Sequence, residues 1–507
     1  MKRKRTLSND FEQNVETLSK ELRVDKNFDL VQHNFQIGDI KLCMFLVDGF
    51  GNDLAIIHTL ENLSRLDGIK DNVMAHLEHR FIPQSEIERS NDLDEILTNV
   101  LAGQSALLVE GYDEALMIDA REYPVRSPEE PDLERVVRGP RDGFVETLVF
   151  NSALIRRRLR DPSLIMEHVQ VGTRSKTDIV IGYISSVADP EIAKRLKKET
   201  KIRQYWTHNG KKTLEEFLFK ESLSPYPRVR YTERPDTAAT HMLEGHVIII
   251  TDGSPSVMIF PTTYWHHMQH AEEYRQEPIV GAFLRWVRII AVFFSIFLLP
   301  GWFLLEEYAA LGPTTWDFIG VSDDYTIPIF VQVLIAEFGL EVLRMAAIHT
   351  PNALATALGL VAAILISEIA IEVGVFTGEV VLYTAVVAMA GYATPSYEMG
   401  LCNRIIRLVL VLSVGFFGPI GFMVTCMFFL ITLVKTKTLN TPYMWPFLPF
   451  NARAAADFLF RIPQPYKNNR PSIVNPMDKK TTILNKTSCM ISSFCSFIYC
   501  FVRSYCK

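Results

Sequence analysis

The sequence is short of what stapled or nucleic-acid-binding proteins need. Its seven cysteines in 507 residues, Cys43, Cys402, Cys426, Cys489, Cys495, Cys500 and Cys506, are an odd set with no CxxC spacing and no histidine at metal-ligand distance. Neither a disulfide framework nor a zinc site is expected from them. Positive charge is not in excess: 52 Lys and Arg stand against 58 Asp and Glu, a net charge of −6, whereas a phosphate-binding surface needs the opposite balance, so nucleic acid is excluded as a partner. The nucleophile elbow, Walker loop, HExxH and dinucleotide fingerprint are all missing, and with them any expectation of an enzyme, a metal or a cofactor. No secretory signal opens the chain, because Ser8, Asn9, Asp10, Glu12 and Gln13 stand where the apolar core of one would lie. A cytoplasmic front follows.

Long apolar runs are absent before Arg285 and abundant after it. Hydrophobic residues make up 48% and charged residues 22%, and with a mean hydropathy of +0.11 this mixture implies segregation along the chain. In the front half, Lys41 to Val47 reads as a buried strand followed by a helix-like stretch from Asp53. Ser105 to Glu110 and Ala115 to Asp119 flank the turn Gly111-Tyr112-Asp113 as a hairpin. The order recurs with a strand from Asp178 to Ser186, a helix opened by Asp189-Pro190, and a hairpin of His246 to Thr251 and Ser256 to Phe260. The first strands start 137 residues apart, and Leu107 and Val247 in the hairpins lie 140 apart, the spacing of a duplicated α/β unit or of two unrelated α/β lobes.

Between the lobes lies a charged stretch in which Glu129, Glu130, Asp132 and Glu134 alternate with Arg126, Arg135, Arg138 and Arg141. It reads either as a network at a lobe or subunit junction or as a solvated loop. Arg156, Arg157, Arg158 and Arg160 suit a solvated helix face better than a lipid or nucleic-acid contact. His266, His267 and His270 have helical ligand spacing, but beside Tyr264 and Trp265 they read as an interfacial polar and aromatic cluster.

Five apolar segments are candidate membrane helices: Ile289 to Leu305, Ile327 to Ile348, Ala353 to Val373, Glu379 to Thr394 and Leu408 to Val434, the last expected to kink or break at Gly418-Pro419. Arg285 and Arg288 precede the first, and the acidic stretch Glu306 to Thr326 follows it, which places the front inside. The basic tail also asks to be inside. Five crossings would put it outside, so either one segment does not cross or the Pro419 segment turns back. Glu337, Glu341, Arg344, Glu368 and Glu372 lie within the apolar runs. A charge at mid-bilayer costs at least about 2.5–3.5 kcal/mol, so these side chains are expected to face protein or water. Glu341 and Arg344 are spaced to pair. Two readings stand side by side: a structural ion-pair core, or acids Glu337, Glu341, Glu368 and Glu372 lining a cation pathway in an oligomer.

The domains read accordingly are a basic and polar extension (1–26), α/β lobe 1 (27–125), the charged linker (126–143), α/β lobe 2 (144–275), a polytopic helical membrane domain (285–434) and a basic tail (435–507).

Several stretches carry a family resemblance: Arg121-Glu-Tyr-Pro-Val-Arg-Ser-Pro-Glu-Glu-Pro-Asp-Leu-Glu-Arg-Val-Val-Arg-Gly139, Arg141-Asp-Gly-Phe-Val-Glu-Thr147, Val229-Arg-Tyr-Thr-Glu-Arg-Pro-Asp236, His266-His-Met-Gln-His-Ala-Glu-Glu-Tyr-Arg275, Arg344-Met-Ala-Ala-Ile-His-Thr-Pro351 and Ala393-Thr-Pro-Ser-Tyr-Glu398. With them the chain, from about Asn27 to Asp478, resembles the A-subunit family of bacterial spore germinant receptors. The resemblance implies a two-lobed cytoplasmic α/β domain, a helical domain in the spore inner membrane, and homo-oligomers that conduct ions during germination. Other germination membrane proteins are the implied partners, since receptor-branch members work with a transporter-like B subunit and a lipoprotein C subunit. Nutrient binding is not carried over. The tail Lys479 to Lys507, with four cysteines, departs from the family pattern.

Overall fold

The computed structural model describes residues 5–51, 53–63, 72–82, 86–121, 134–172, 175–202, 211–219, 224–308, 320–321, 325–349, 369–439, 441–463, 467 and 469–480. In lobe 1, β1 (Leu30–Ile37), β2 (Ile40–Val47), β3 (Ile87–Ser90), β4 (Ser105–Val109) and β5 (Ala115–Ile118) form an antiparallel sheet in the order β1-β2-β4-β5-β3. Helices cover both faces, which is why the inner strands read as unbroken apolar runs and not as alternation. Cys43, Phe45, Ala106 and Leu108 pack against α1 (Phe11–Leu22) and α3 (Leu93–Leu101), whereas Leu42, Met44, Leu107 and Val109 share the opposite core with Leu63 of α2 (Asp53–Leu63). Lobe 2 repeats the plan. Its strands β6 (Leu164–Val171), β7 (Thr177–Ile184), β8 (Arg230–Thr232), β9 (Val247–Thr251) and β10 (Val257–Phe260) are ordered β6-β7-β9-β10-β8. Helices α4 (Leu148–Arg158) and α7 (Pro235–Glu244) lie on one face, α5 (Pro190–Ile202) and α6 (Lys211–Leu218) on the other.

The repeat extends to individual backbone pins. Ser8 N donates to Asn14 Oδ1 at 2.9 Å and Asn14 Nδ2 returns to Ser8 O; Val145 N donates to Asn151 Oδ1 at 2.8 Å and Asn151 Nδ2 returns to Val145 O. Leu7 N bonds Asn91 O as Phe144 N bonds Glu233 O. Residues 5–26, expected to belong to a basic and polar extension, are therefore part of lobe 1. Leu7, Val15, Leu18 and Leu22 are core residues there. The polar face of α1 dominates its composition and hides this stripe of apolar positions.

The helical domain contains α8 (Pro278–Glu307), α9 (Ile329–His349), α10 (Gly378–Tyr392) and α11 (Tyr397–Lys435). Among the described residues, α8 and α11 are long and apolar enough to cross a membrane, and α10 is apolar but shorter. α11 breaks at Gly418, whose φ of +60° and ψ of −145° only glycine adopts readily. Thr425 Oγ1 donates to Ser413 Oγ at 2.7 Å. In one straight helix, twelve residues would span about 18 Å, so the chain folds back into a hairpin. A Cβ at Gly418 would strike the Tyr308 hydroxyl. The kink or break expected at Gly418-Pro419 is thus present, as a turn back.

The returning arm ends beside lobe 2, where Tyr226 Oη donates to Phe429 O at 3.2 Å. The short strands β11 (Lys437–Thr438) and β12 (Thr441–Pro442) follow, then α12 (Ala452–Phe460). This strap is bolted to the lobe: Tyr443 Oη donates to Pro227 O at 2.6 Å, Arg470 Nε to Leu243 O at 2.8 Å and Met477 N to Val187 O at 2.9 Å.

Candidate functional site

Three arginines and two glutamates organise the helical domain. Arg404 and Arg407 sit one turn apart on the outgoing arm of α11, and Glu337 and Glu341 one turn apart on α9. The two helices run antiparallel, so the pairs interlock as rungs. Arg407 Nη2 reaches Glu337 Oε2 at 2.8 Å and its Nη1 donates to Ser295 O on α8 at 2.8 Å. Arg404 Nη1 reaches Glu341 Oε1 at 3.3 Å, and Arg344 Nε donates to Glu341 Oε2 at 3.0 Å. Arg344 Nη1 also donates to Tyr397 Oη at 3.1 Å. Glu337 is 4% exposed and Arg407 3%. Removing one partner of such a pair leaves a bare buried charge, at a cost of about 3–5 kcal/mol.

The expected pairing of Glu341 with Arg344 is thus present, and Arg404 joins it. Arg404 and Arg407 stand just before the last apolar segment, and their one-turn spacing, matching that of the glutamates, is the clue that they answer them. Glu372 lies elsewhere, in the helical turn Ala370–Glu372. That turn is at the bundle end remote from the lobes, where Thr377 N donates to Gln332 Oε1 near the start of α9 and Phe376 packs with Trp302 and Phe303. Glu372 is exposed and has no basic partner among the described residues. Glu368, Glu129, Glu130 and Asp132 lie outside the described residues.

The front meets the helices through a second charged cluster. Arg285, at the head of α8, is 2% exposed; its Nε reaches Glu273 Oε2 at 2.7 Å, its Nη1 donates to Asp457 O at 3.2 Å, and its guanidinium lies over the rings of Tyr274 and Phe458. Arg230 donates to His266 O at 2.8 Å and pairs with Glu134 at 3.1 Å. Residues 134–143 of the linker therefore lie along lobe 2, with Arg135, Arg138 and Arg141 exposed on them. The lobes themselves meet at Arg156, which is not on a solvated face but fully buried: its Nη2 donates to Asp29 Oδ1 at 2.8 Å and to Asn27 Oδ1 at 3.3 Å.

His266 and His267 are buried in a 3-10 turn, and His266 stacks edge-on against His241 and His246. Burial pushes His246 down to about 4 and His267 down to about 3, with the Arg230 charge adding to it at His267. These rings are neutral packing elements between lobe 2 and α8. Among the described residues no three His, Cys, Asp or Glu side chains are placed to hold a metal ion.

An antiparallel two-lobed α/β front, joined by buried arginines to an apolar helical bundle with its own internal ion pairs, is the class of molecule these features define. The chain belongs to the Bacillus/Clostridium GerA spore germination protein family, whose model matches residues 16–473. It is 46% identical over 470 residues to stage V sporulation protein AF of Bacillus subtilis (strain 168), covering 92% of this chain and 95% of that one. It is 28% identical to spore germination protein B1 of the same organism, over 93% of this chain and 99% of that one. The crystal structure of the N-terminal domain of the A subunit of the Bacillus megaterium germinant receptor GerK3 matches 51% of this chain and 97% of its own, at 22% identity and a TM-score of 0.40.

Proposed function

We propose that this chain is a subunit of an oligomeric, cation-passing assembly of the spore inner membrane that contributes to ion release in germination. In this reading the helices cross the membrane several times, the two-lobed front and the strap face the spore core, and no catalysis or cofactor is involved. The observation that carries it is Glu372, an exposed carboxylate at the far end of an apolar bundle whose other central acids, Glu337 and Glu341, are answered by arginines. Repeated around an axis, Glu372 and its sequence neighbour Glu368 would gather cations at a mouth. Glu337 and Glu341 would hold the helices that surround it. Lipid, further copies of the chain and other germination membrane proteins are the partners. Exposed Arg135, Arg138 and Arg141, with Glu129, Glu130 and Asp132, would serve subunit contacts.

The test is potassium release from germinating spores carrying Glu368→Gln and Glu372→Gln at normal protein level. Slower release is expected; an unchanged rate removes both residues from the pathway. A second reading, a non-conducting scaffold for the germination machinery, is favoured by the neutralisation of Glu337 and Glu341 within one copy. Ion flux through liposomes holding the purified protein alone supports the channel, and sealed liposomes support the scaffold.

A further inference from the structure

The strap offers an apolar tip. In the loop Trp445-Pro446-Phe447-Leu448-Pro449-Phe450, Phe447 turns inward onto Trp265 and Phe458, with ring centroids 4.6 and 6.3 Å away. Leu448, Pro449 and Phe450 stay exposed, Phe450 at 71%. The direction in which this tip points follows from α12. Arg461 Nη1 donates to Gln276 O at 2.7 Å and lies beside Gly281, whereas Asp457 O and Phe458 O accept from Arg285. Four residues forward on α8 correspond to three or four residues back on α12, so the two helices are antiparallel. At about 1.5 Å per residue, the start of α12 lies roughly 9 Å beyond Phe458 toward the apolar body of α8. Met444, just before the loop, packs in the same cluster as Ile289 and Val292.

On this stretch α8 shows an exposed apolar stripe of Ile279, Phe283, Trp286 and Ile290. Exposed Arg453 follows the tip in sequence, and exposed Lys435 and Lys437 lie at the end of α11 and on β11, a basic fringe that suits anionic headgroups. We propose that Leu448, Pro449 and Phe450 dock into the headgroup boundary of the leaflet that α8 enters, making the strap a lipid-anchored bolt between lobe 2 and the membrane. This rests on the reading of α8 as a membrane span, continues its exposed apolar face, and adds a contact made by the tail.

The experiment is spin-label accessibility in the full-length protein, with its native cysteines replaced, reconstituted in vesicles containing one-third anionic lipid. Phe450→Cys is labelled, Leu448→Cys is the second site if the first does not fold, and Phe293→Cys within α8 is the reference. The tip label is expected to collide with oxygen in preference to a water-soluble nickel chelate, at a shallower depth than Phe293. Preferential collision with the chelate overturns the proposal, as does protection from both reagents, which would mean a protein cover. If the label at Phe293 also meets the chelate, the span reading itself fails, and the two failures are distinct.

Discussion

Lobes 1 and 2 share strand order, helix placement and even the paired asparagine pins at Asn14 and Asn151, yet their contacts differ. Lobe 2 is tied to α8, to the returning arm of α11 and to the strap; lobe 1 is tied to lobe 2. The charge pair between them is not repeated. Asp48 N bonds Asp29 O as Ser185 N bonds Ser163 O, so Ser163 stands where Asp29 does, and by the 137-residue offset of the pins Ser19 stands where Arg156 does. A fold can therefore be used twice while each interface is written once.

The comparison breaks most visibly at that pair. Arg156→Ala leaves Asp29 buried without its partner and should destabilise the full chain by about 3–5 kcal/mol, while Ser163→Ala should stay within about 1 kcal/mol. Denaturant titration in detergent measures both, and equal effects would make the two sites alike after all. Acid should act next, and on one lobe. His246 and His270 are held at about 4 and His267 at about 3, below the ordinary 6.5, so the unfolded chain binds protons that the folded chain refuses. Stability is expected to be full above pH 6.5, to fall as pH drops below it, and to level only near pH 3–4. Lobe 1 has no buried histidine among the described residues. Amide exchange at pH 5 against pH 7 should show lobe 2 and its junction with α8 loosening while lobe 1 is unchanged. The smallest effect sharpens the likeness: Asn14→Ala and Asn151→Ala each strand a backbone N–H and C=O, and each should cost about 1–3 kcal/mol. Values differing by more than twofold would show that the pins are not equivalent.

The front was legible where strands are covered on both faces, because Leu42 to Val47, Ala106 to Val109 and their later counterparts are almost wholly apolar. Edge strands β1, β3, β6 and β8 were not. Residues such as Gln32, His33 and Asn34 in β1 are polar because one side meets solvent, and pairing to β2 is what makes them strand. In the helical half the acids were visible as costly groups in apolar runs, but their partners were not. Arg404 and Arg407 read as flanking charges until α9 and α11 are laid antiparallel. The family was legible from long motifs, although the position of Glu372 at the far bundle end was not.

Segregation of apolar residues along the chain was enough to determine an α/β front, a helical domain after it, a break near Pro419 and the presence of charges needing shelter, since each follows from local composition and backbone chemistry. Tertiary structure alone decided which arginine is buried, which acids are answered, and that the last long helix folds back on itself. Those outcomes depend on groups far apart in sequence, such as Asp29 with Arg156 or Ser413 with Thr425, meeting at a few ångströms, where desolvation and hydrogen-bond geometry select the partner.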